Sequence, residues 1–165
     1  MLMKIRALTK DDWSAVAAIY KEGLDTEVAT FETEIPSWEQ WDVAHISSCR
    51  LVAEKENMIC GWAALSPVSR RKAYKGVAEV SIYIAASGRG LKVGQRLLYR
   101  LISESEKAGF WTLQAGIFSE NKVSIALHQK MGFRMIGFRE KVASRNGKWH
   151  DNCLLERRSK IIGIK

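Results

Sequence analysis

Apolar and polar positions along the chain change period several times, and each change marks an element. Residues 3–8 read as a first strand. Thr9 and Asp12 form a Thr-x-x-Asp start signal, after which Trp13, Val16, Ala17 and Tyr20 recur at helical spacing and predict a first helix. An irregular stretch, 26–36, ends at Pro36, and Ser37-Trp38-Glu39-Gln40 opens a shorter helix that turns Trp38, Trp41 and Ile46 to the core. Strands follow at 50–55, 58–66 and 77–85, the first two joined by a Glu56-Asn57 turn and the last two by a basic loop, so the three form a meander. The strongest helix spans 91–108, with Leu91, Leu98, Leu101, Ile102 and Ser105 on or near one stripe and Gly109 just past its end. A strand at 111–117, a helix at 121–131 closed by Gly132, and a hairpin of 133–142 with 148–156 around Arg145-Asn146-Gly147-Lys148 complete the chain. The order is β1-α1-α2-β2-β3-β4-α3-β5-α4-β6-β7. No repeat, linker or low-complexity segment interrupts it, so residues 1–165 are expected to form a single α+β or α/β domain.

Composition narrows the function classes. A chain of 165 residues, 47% hydrophobic, can bury roughly 70% of its unfolded surface and needs no covalent staple. Its longest apolar runs, 62–65 and 80–86, are far below the ~20 residues that span a bilayer. Charges at Lys4, Arg6 and Lys10 break up the apolar core that a secretory leader needs, which points to the cytoplasm. Cys49, Cys60 and Cys153 lie far apart, form no Cys-x-x-Cys pair and stand in no Cys/His cluster, so they read as reduced thiols and no metal is expected. The net charge of +8 admits a polyanionic partner, a smaller anion or simply a solvated basic surface. The positive residues are scattered, with local density only at Arg70-Arg71-Lys72 and in the C-terminal ERRSKIIGIK, so neither nucleic acid nor membrane is the expected partner.

Three features carry candidate chemistry. The strand ending in Ser81-Ile82-Tyr83-Ile84 runs through Ser87-Gly88-Arg89-Gly90-Leu91-Lys92-Val93-Gly94 straight into the long helix. Glycine lets the backbone approach a phosphate, and the unpaired amides and partial positive charge of a helix start attract it. Arg89 and Lys92 add full charges. The turn is neither a P-loop nor a Gly-x-Gly-x-x-Gly fingerprint, and alone it reads equally as punctuation before a helix. Asn121, Ser124 and His128 share one face of the last long helix, as a polar stripe either functional or turned to solvent. Glu79 alternates with Val77, Ser81 and Tyr83 on one strand face, opposite the apolar Ala78, Val80, Ile82 and Ile84. It borders the strand leading to the anion turn, and an exposed sheet residue would look the same. Trp13, Trp38, Trp41, Trp62 and Trp111 fit core positions rather than a base-stacking platform.

From FETEIPSWEQW through AYKGVAEVSIYI and RGLKVGQRLL to SENKVSIALHQKMGF and GKWHD, the chain resembles the GNAT superfamily of N-acetyltransferases, and within it the phosphinothricin and methionine sulfoximine acetyltransferases. The resemblance implies an α/β/α sandwich on a mixed, mostly antiparallel sheet with a splayed central strand pair. It implies acetyl-CoA as cosubstrate, with the open edge at Ile82, Tyr83 and Ile84 pairing with its pantetheine arm. Arg89, Gly90, Leu91, Lys92, Val93, Gly94 and Gln95 match the family's pyrophosphate signature, with Lys92 standing where glycine is usual. Asn121, Ser124 and Lys130 are the further cofactor candidates. His128 falls where many relatives have a general-acid tyrosine, which leaves its role as acid or base open.

An ammonium has no lone pair, and an α-amine of pKa near 8 is only about a tenth neutral at pH 7, so a base serves the reaction. Glu79, directly or through water, is the candidate base. Phe31 and Thr33, with Arg71 and Tyr74 in the basic loop, match regions that line the acceptor pocket in relatives, and an arginine could grip a carboxylate or phosphinate at two points. The implied acceptor is a small amine or amino acid, a peptide N-terminus being the alternative, and the resemblance further implies a homodimer.

Overall fold

The computed structural model describes residues 2–165. Its strands are β1 (Lys4–Ala7), β2 (Leu51–Lys55), β3 (Met58–Pro67), β4 (Val77–Ile84), β5 (Thr112–Phe118), β6 (Arg134–Arg145) and β7 (Lys148–Arg158). Its helices are α1 (Trp13–Asp25), α2 (Trp38–Ala44), α3 (Val93–Lys107) and α4 (Lys122–Lys130). The strands form one sheet in the order β1-β2-β3-β4-β5-β7-β6, antiparallel everywhere except between β4 and β5.

Strand alternation sends two sets of side chains to two helical layers. Ala78 and Val80 of β4 join Leu97, Leu98 and Leu101 of α3 and Ile125 of α4 in one core. Val16, Ile19, Tyr20 and Leu24 of α1 and Trp41 of α2 pack on the opposite face with Trp62, and Tyr83 adds its ring there. The layers are α/β/α, as expected. Four of the six tryptophans form a single cluster on the α1–α2 side, Trp13, Trp38, Trp41 and Trp62, with ring centroids 5.6–5.8 Å apart.

Local signals act as the sequence suggested. The Thr9 amide donates to Asp12 Oδ2 at 2.8 Å, and Ser37 Oγ accepts from the Gln40 amide at 3.2 Å. Glu56 and Asn57 both take positive φ, as do Asn146 and Gly147, giving two-residue hairpin turns that match strand twist. Several boundaries move by a residue or two, and two of the differences matter. The β6–β7 hairpin extends to Arg145 and Lys148, leaving only Asn146-Gly147 as the turn. The long helix begins at Val93, because Lys92 is left-handed, and Leu91 is therefore 44% exposed rather than on the buried stripe.

The central pair β4 and β5 matters most for function. Their register covers only Val77↔Thr112, Ala78↔Leu113 and Glu79↔Gln114. Beyond it β4 stays paired with β3 as far as Ile84↔Gly61, while β5 stays paired with β7 as far as Phe118↔Asn152. Each strand keeps its outer partner and the two inner edges part. Backbone groups on those edges are left without a ladder, a state that calls for water or a ligand.

Candidate active site

The splay opens into a cleft of about 640 Å³ floored by β4, β5 and β7 and roofed by residues 29–32. Glu79, Ser81 and Tyr83 line it from β4, Gln114, Gly116 and Phe118 from β5, and Asn121, Ser124 and His128 from the α4 side. The sequence-level candidates Glu79, Ile82, Tyr83, Asn121, Ser124, His128 and Phe31 thus meet in one cavity. Glu79 is half-buried there, and Gln114 Nε2 donates to its Oε2 at 3.3 Å.

The polar stripe of α4 is an interlocked series. Asn121 caps the helix, its Oδ1 accepting from the Ser124 amide at 3.2 Å. The Ser124 carbonyl then accepts from His128 at 2.7 Å, and because a carbonyl only accepts, Nδ1 carries that proton. His128 is 2% exposed, and burial pushes its pKa below the ordinary value against the opposing pull of the Ser124 bond. The ring is therefore neutral at pH 7 and bears its lone pair on Nε2, which has no hydrogen-bond partner among the described residues. Neutral His128 has no spare proton to donate. In this state it can only accept one at Nε2.

Tyr83 stacks on Trp62 at 4.9 Å and meets Tyr20 edge-on at 4.9 Å. Burial raises both phenol pKa values, so both stay protonated. Gly23 of α1 makes room for this ring: a Cβ there would stand 2.5 Å from Tyr83.

At the open end of β4, a short 3-10 turn (Ala86–Gly88) leads into Arg89, Gly90 with φ 76°, Leu91 and left-handed Lys92. The amides of Gly90, Lys92, Val93, Gly94 and Gln95 have no acceptor among the described residues. Nothing lies within 4 Å of a Cβ built on Gly90, so the backbone there is open to approach. Unpaired amides at a helix start, flanked by exposed Arg89 and Lys92, suit a diphosphate, and the neighbouring open edge suits an extended amide-bearing chain. These residues fit acetyl-CoA.

Other candidates lie elsewhere. Lys130 is exposed at the far end of α4 and does not line the cleft. Thr33 is likewise outside the lining, whereas its neighbours Thr30 and Glu32 are inside. Arg71 and Tyr74 sit on the exposed loop before β4, the guanidinium 5.9 Å from the Tyr74 ring, and neither reaches the cleft. Ile84 turns toward Gly94 and α3. Cleft residues absent from the sequence-level set include Tyr20, Glu32, Gln114, Phe118, Arg139 and Asn152. Alternation along β5 could have found Gln114 and Phe118. Arg139 and Asn152 depend on the register of β5, β7 and β6, which no local pattern encodes.

No helix is long and apolar enough to cross a membrane, and no group of three metal-ligating side chains gathers, among the described residues. The acetyltransferase (GNAT) domain family matches residues 5–154. A Bacillus subtilis protein, YwnH, provisionally named a phosphinothricin acetyltransferase, is 36% identical over 160 residues, 94% of this chain and 98% of the relative. Phosphinothricin N-acetyltransferase of Alcaligenes faecalis is 32% identical, covering 93% of this chain and 81% of its own. A crystal structure of a GNAT superfamily phosphinothricin acetyltransferase from Sinorhizobium meliloti, in complex with acetyl-CoA, superposes with a TM-score of 0.89. It is 27% identical and covers 100% of this chain and 92% of that one.

Proposed function

As the chain belongs to the GNAT family of acetyltransferases and is an acetyl-CoA-dependent N-acetyltransferase, we propose that its acceptor is the amine of a small amino-acid-like molecule of the phosphinothricin or methionine sulfoximine type. The observation that carries this reading is the parting of β4 and β5 directly after Glu79 and Gln114, which leaves a carboxylate at the vertex of a roofed cleft. Acetyl-CoA supplies a thioester whose carbonyl carbon a neutral amine can attack, the C–N bond forming as the C–S bond breaks and CoA leaves as a thiolate that takes up a proton. The unpaired amides from Gly90 to Gln95 hold its phosphates, with Arg89 and Lys92 adding charge. Backbone amides on the open edge of β4 polarise the carbonyl.

Glu79 attracts the acceptor's ammonium and takes its proton, directly or through one water, a service worth about 10²- to 10⁴-fold in rate. The Gln114 amide orients the carboxylate. Neutral His128, fixed by the Ser124 carbonyl, keeps an unpartnered Nε2 buried in the cleft wall, a second proton acceptor once water or the acceptor reaches it. The roof at 29–32 favours a small acceptor over a polypeptide. Two copies of the chain pair in this proposal, in the cytoplasm, and the exposed Met135, Ile136 and Phe138 of edge strand β6 offer an apolar surface for it.

CoA release measured with a panel of free amino acids and with N-terminal peptides tests the acceptor class. Turnover is expected on free amino acids bearing a polar or anionic side chain, and to fall at least a hundredfold at pH 7 in Glu79→Gln. Preference for peptides would overturn the acceptor, and unchanged Glu79→Gln turnover from pH 6 to 9 would overturn the base.

A further inference from the structure

The side chains lining the cleft include two carboxylates, Glu79 and Glu32, but a single lysine or arginine, Arg139 of β6. Its position is built by the hairpin. Between Arg139↔Asn152 and Ala143↔His150, three residues of β6 face one of β7, and Asp151 pins the bulge by accepting from the Lys141 amide at 2.8 Å. The bend brings Arg139, Val142 and Ala143 to the cleft although β6 is the outermost strand. Arg134, earlier on the same strand, is paired with Glu156 at 2.9 Å, whereas Arg139 has no carboxylate partner among the described residues.

Register places Arg139 relative to Glu79. Arg139 pairs with Asn152 and Asn152 with Phe118, while Glu79 pairs with Gln114. Paired residues share a face, and 114 and 118 differ by an even step, so Arg139 and Glu79 rise from the same side of the sheet. They stand three strand spacings apart across the sheet and four residues apart along it, about 14 Å and about 13 Å between backbones. The α-carboxylate of an amino acid is only two bonds from its nitrogen. With both side chains short of full extension toward each other, an α-carboxylate does not span from an amine at Glu79 to Arg139. An acceptor with a second anion at the end of its side chain can do so, and a guanidinium takes a carboxylate or phosphinate at two points.

We propose that Arg139 is a specificity-determining residue that selects acceptors bearing a carboxylate or phosphinate at the far end of the side chain. This rests on the acceptor class proposed above. The test measures kcat/KM for phosphinothricin and glutamate, which carry that anion, against methionine and glutamine, which do not. The readout is the ratio of anionic to neutral acceptors in wild type, Arg139→Gln and Arg139→Lys, with acetyl-CoA affinity by calorimetry confirming a folded cofactor site. The ratio is expected to fall about ten- to a hundredfold in Arg139→Gln, chiefly through KM, and to recover in part in Arg139→Lys. A ratio unchanged in Arg139→Gln overturns the role of Arg139 while leaving acyl transfer to amino acids standing. Failure of the wild type to acetylate any free amino acid overturns both.

Discussion

Lys92 enters the left-handed region immediately before α3, at φ 60° and ψ 22°. A residue with a Cβ is strained there by roughly 1 kcal/mol, which explains why glycine is the usual occupant of this position in the family signature. The departure is therefore a matter of backbone conformation as much as charge: the turn keeps its path, and its amides stay free, despite the lysine. Lys92→Gly is expected to raise the free energy of unfolding by about 0.5–1 kcal/mol in urea melts. It should hold acetyl-CoA within about fivefold of wild type, since screened surface charges are worth about 1 kcal/mol or less. If Lys92→Gly and Lys92→Ala both lost more than tenfold in calorimetry, the ammonium rather than the amides would carry the site. The glycine turn, Glu79 and the α4 stripe were all legible as residues in the sequence. The protonation state of His128 was not, because it follows from burial and from one carbonyl 2.7 Å away.

Elements were legible wherever a start signal, a period and a stop agreed, as for α1, α3 and the Asn146-Gly147 hairpin. What connects them was not. Arg145 reads in the sequence only as one end of a hairpin turn, yet it is 8% exposed. Its Nη2 donates to the Leu24 carbonyl at 2.9 Å, its Nε to the Glu32 carbonyl at 3.4 Å, and Glu27 stands 3.4 Å from its Nη1. One side chain from the β6 terminus thus ties the last turn of α1, at Leu24, to the roof, at Glu32, across as many as 121 residues of sequence, a separation that no local rule spans. Phe31 is held beneath by Phe118, 4.4 Å between centroids. Arg145→Ala takes the donor from the Glu32 carbonyl and leaves the Leu24 carbonyl only its bond from the Glu27 amide, and should cost about 1–3 kcal/mol of stability. Amide exchange at 26–36 should accelerate more than elsewhere, and KM for the acceptor should rise several-fold more than KM for acetyl-CoA. Equal change in both constants would mean that the roof does not belong to the acceptor side.

At the scale of the whole molecule, the meander, the crossover through α3 and the terminal hairpin follow from element order, and the parting of β4 from β5 came only with the family resemblance. Nothing in the alternation of either strand announces that pairing stops at Glu79. The layered architecture also buries groups whose charge the unfolded chain would expose, and this sets a pH profile. His45, with Nδ1 donating to the Trp41 carbonyl at 2.7 Å, and His128 both have pKa values lowered chiefly by burial. Below the ordinary histidine pKa of about 6.5, the unfolded chain binds protons that the folded chain refuses. Stability contributed by the neutral rings is present in full above that value and is lost as pH falls toward their folded pKa values. The slope is at most about 1.4 kcal/mol per pH unit for each ring. A second loss begins below the ordinary carboxylate range. Arg6 holds Asp12 in a two-point pair at 2.8 and 2.9 Å and lowers its pKa, so the stability that this pair contributes above about pH 4 disappears as Asp12 protonates. The urea midpoint is therefore expected to be level from pH 8 to 7, to fall between pH 6.5 and 5, and to fall again below pH 4. A midpoint that stayed level from pH 7 to 5 would mean that His45 and His128 titrate alike in the folded and unfolded chain, and the neutral state assigned to His128 would lose its physical basis.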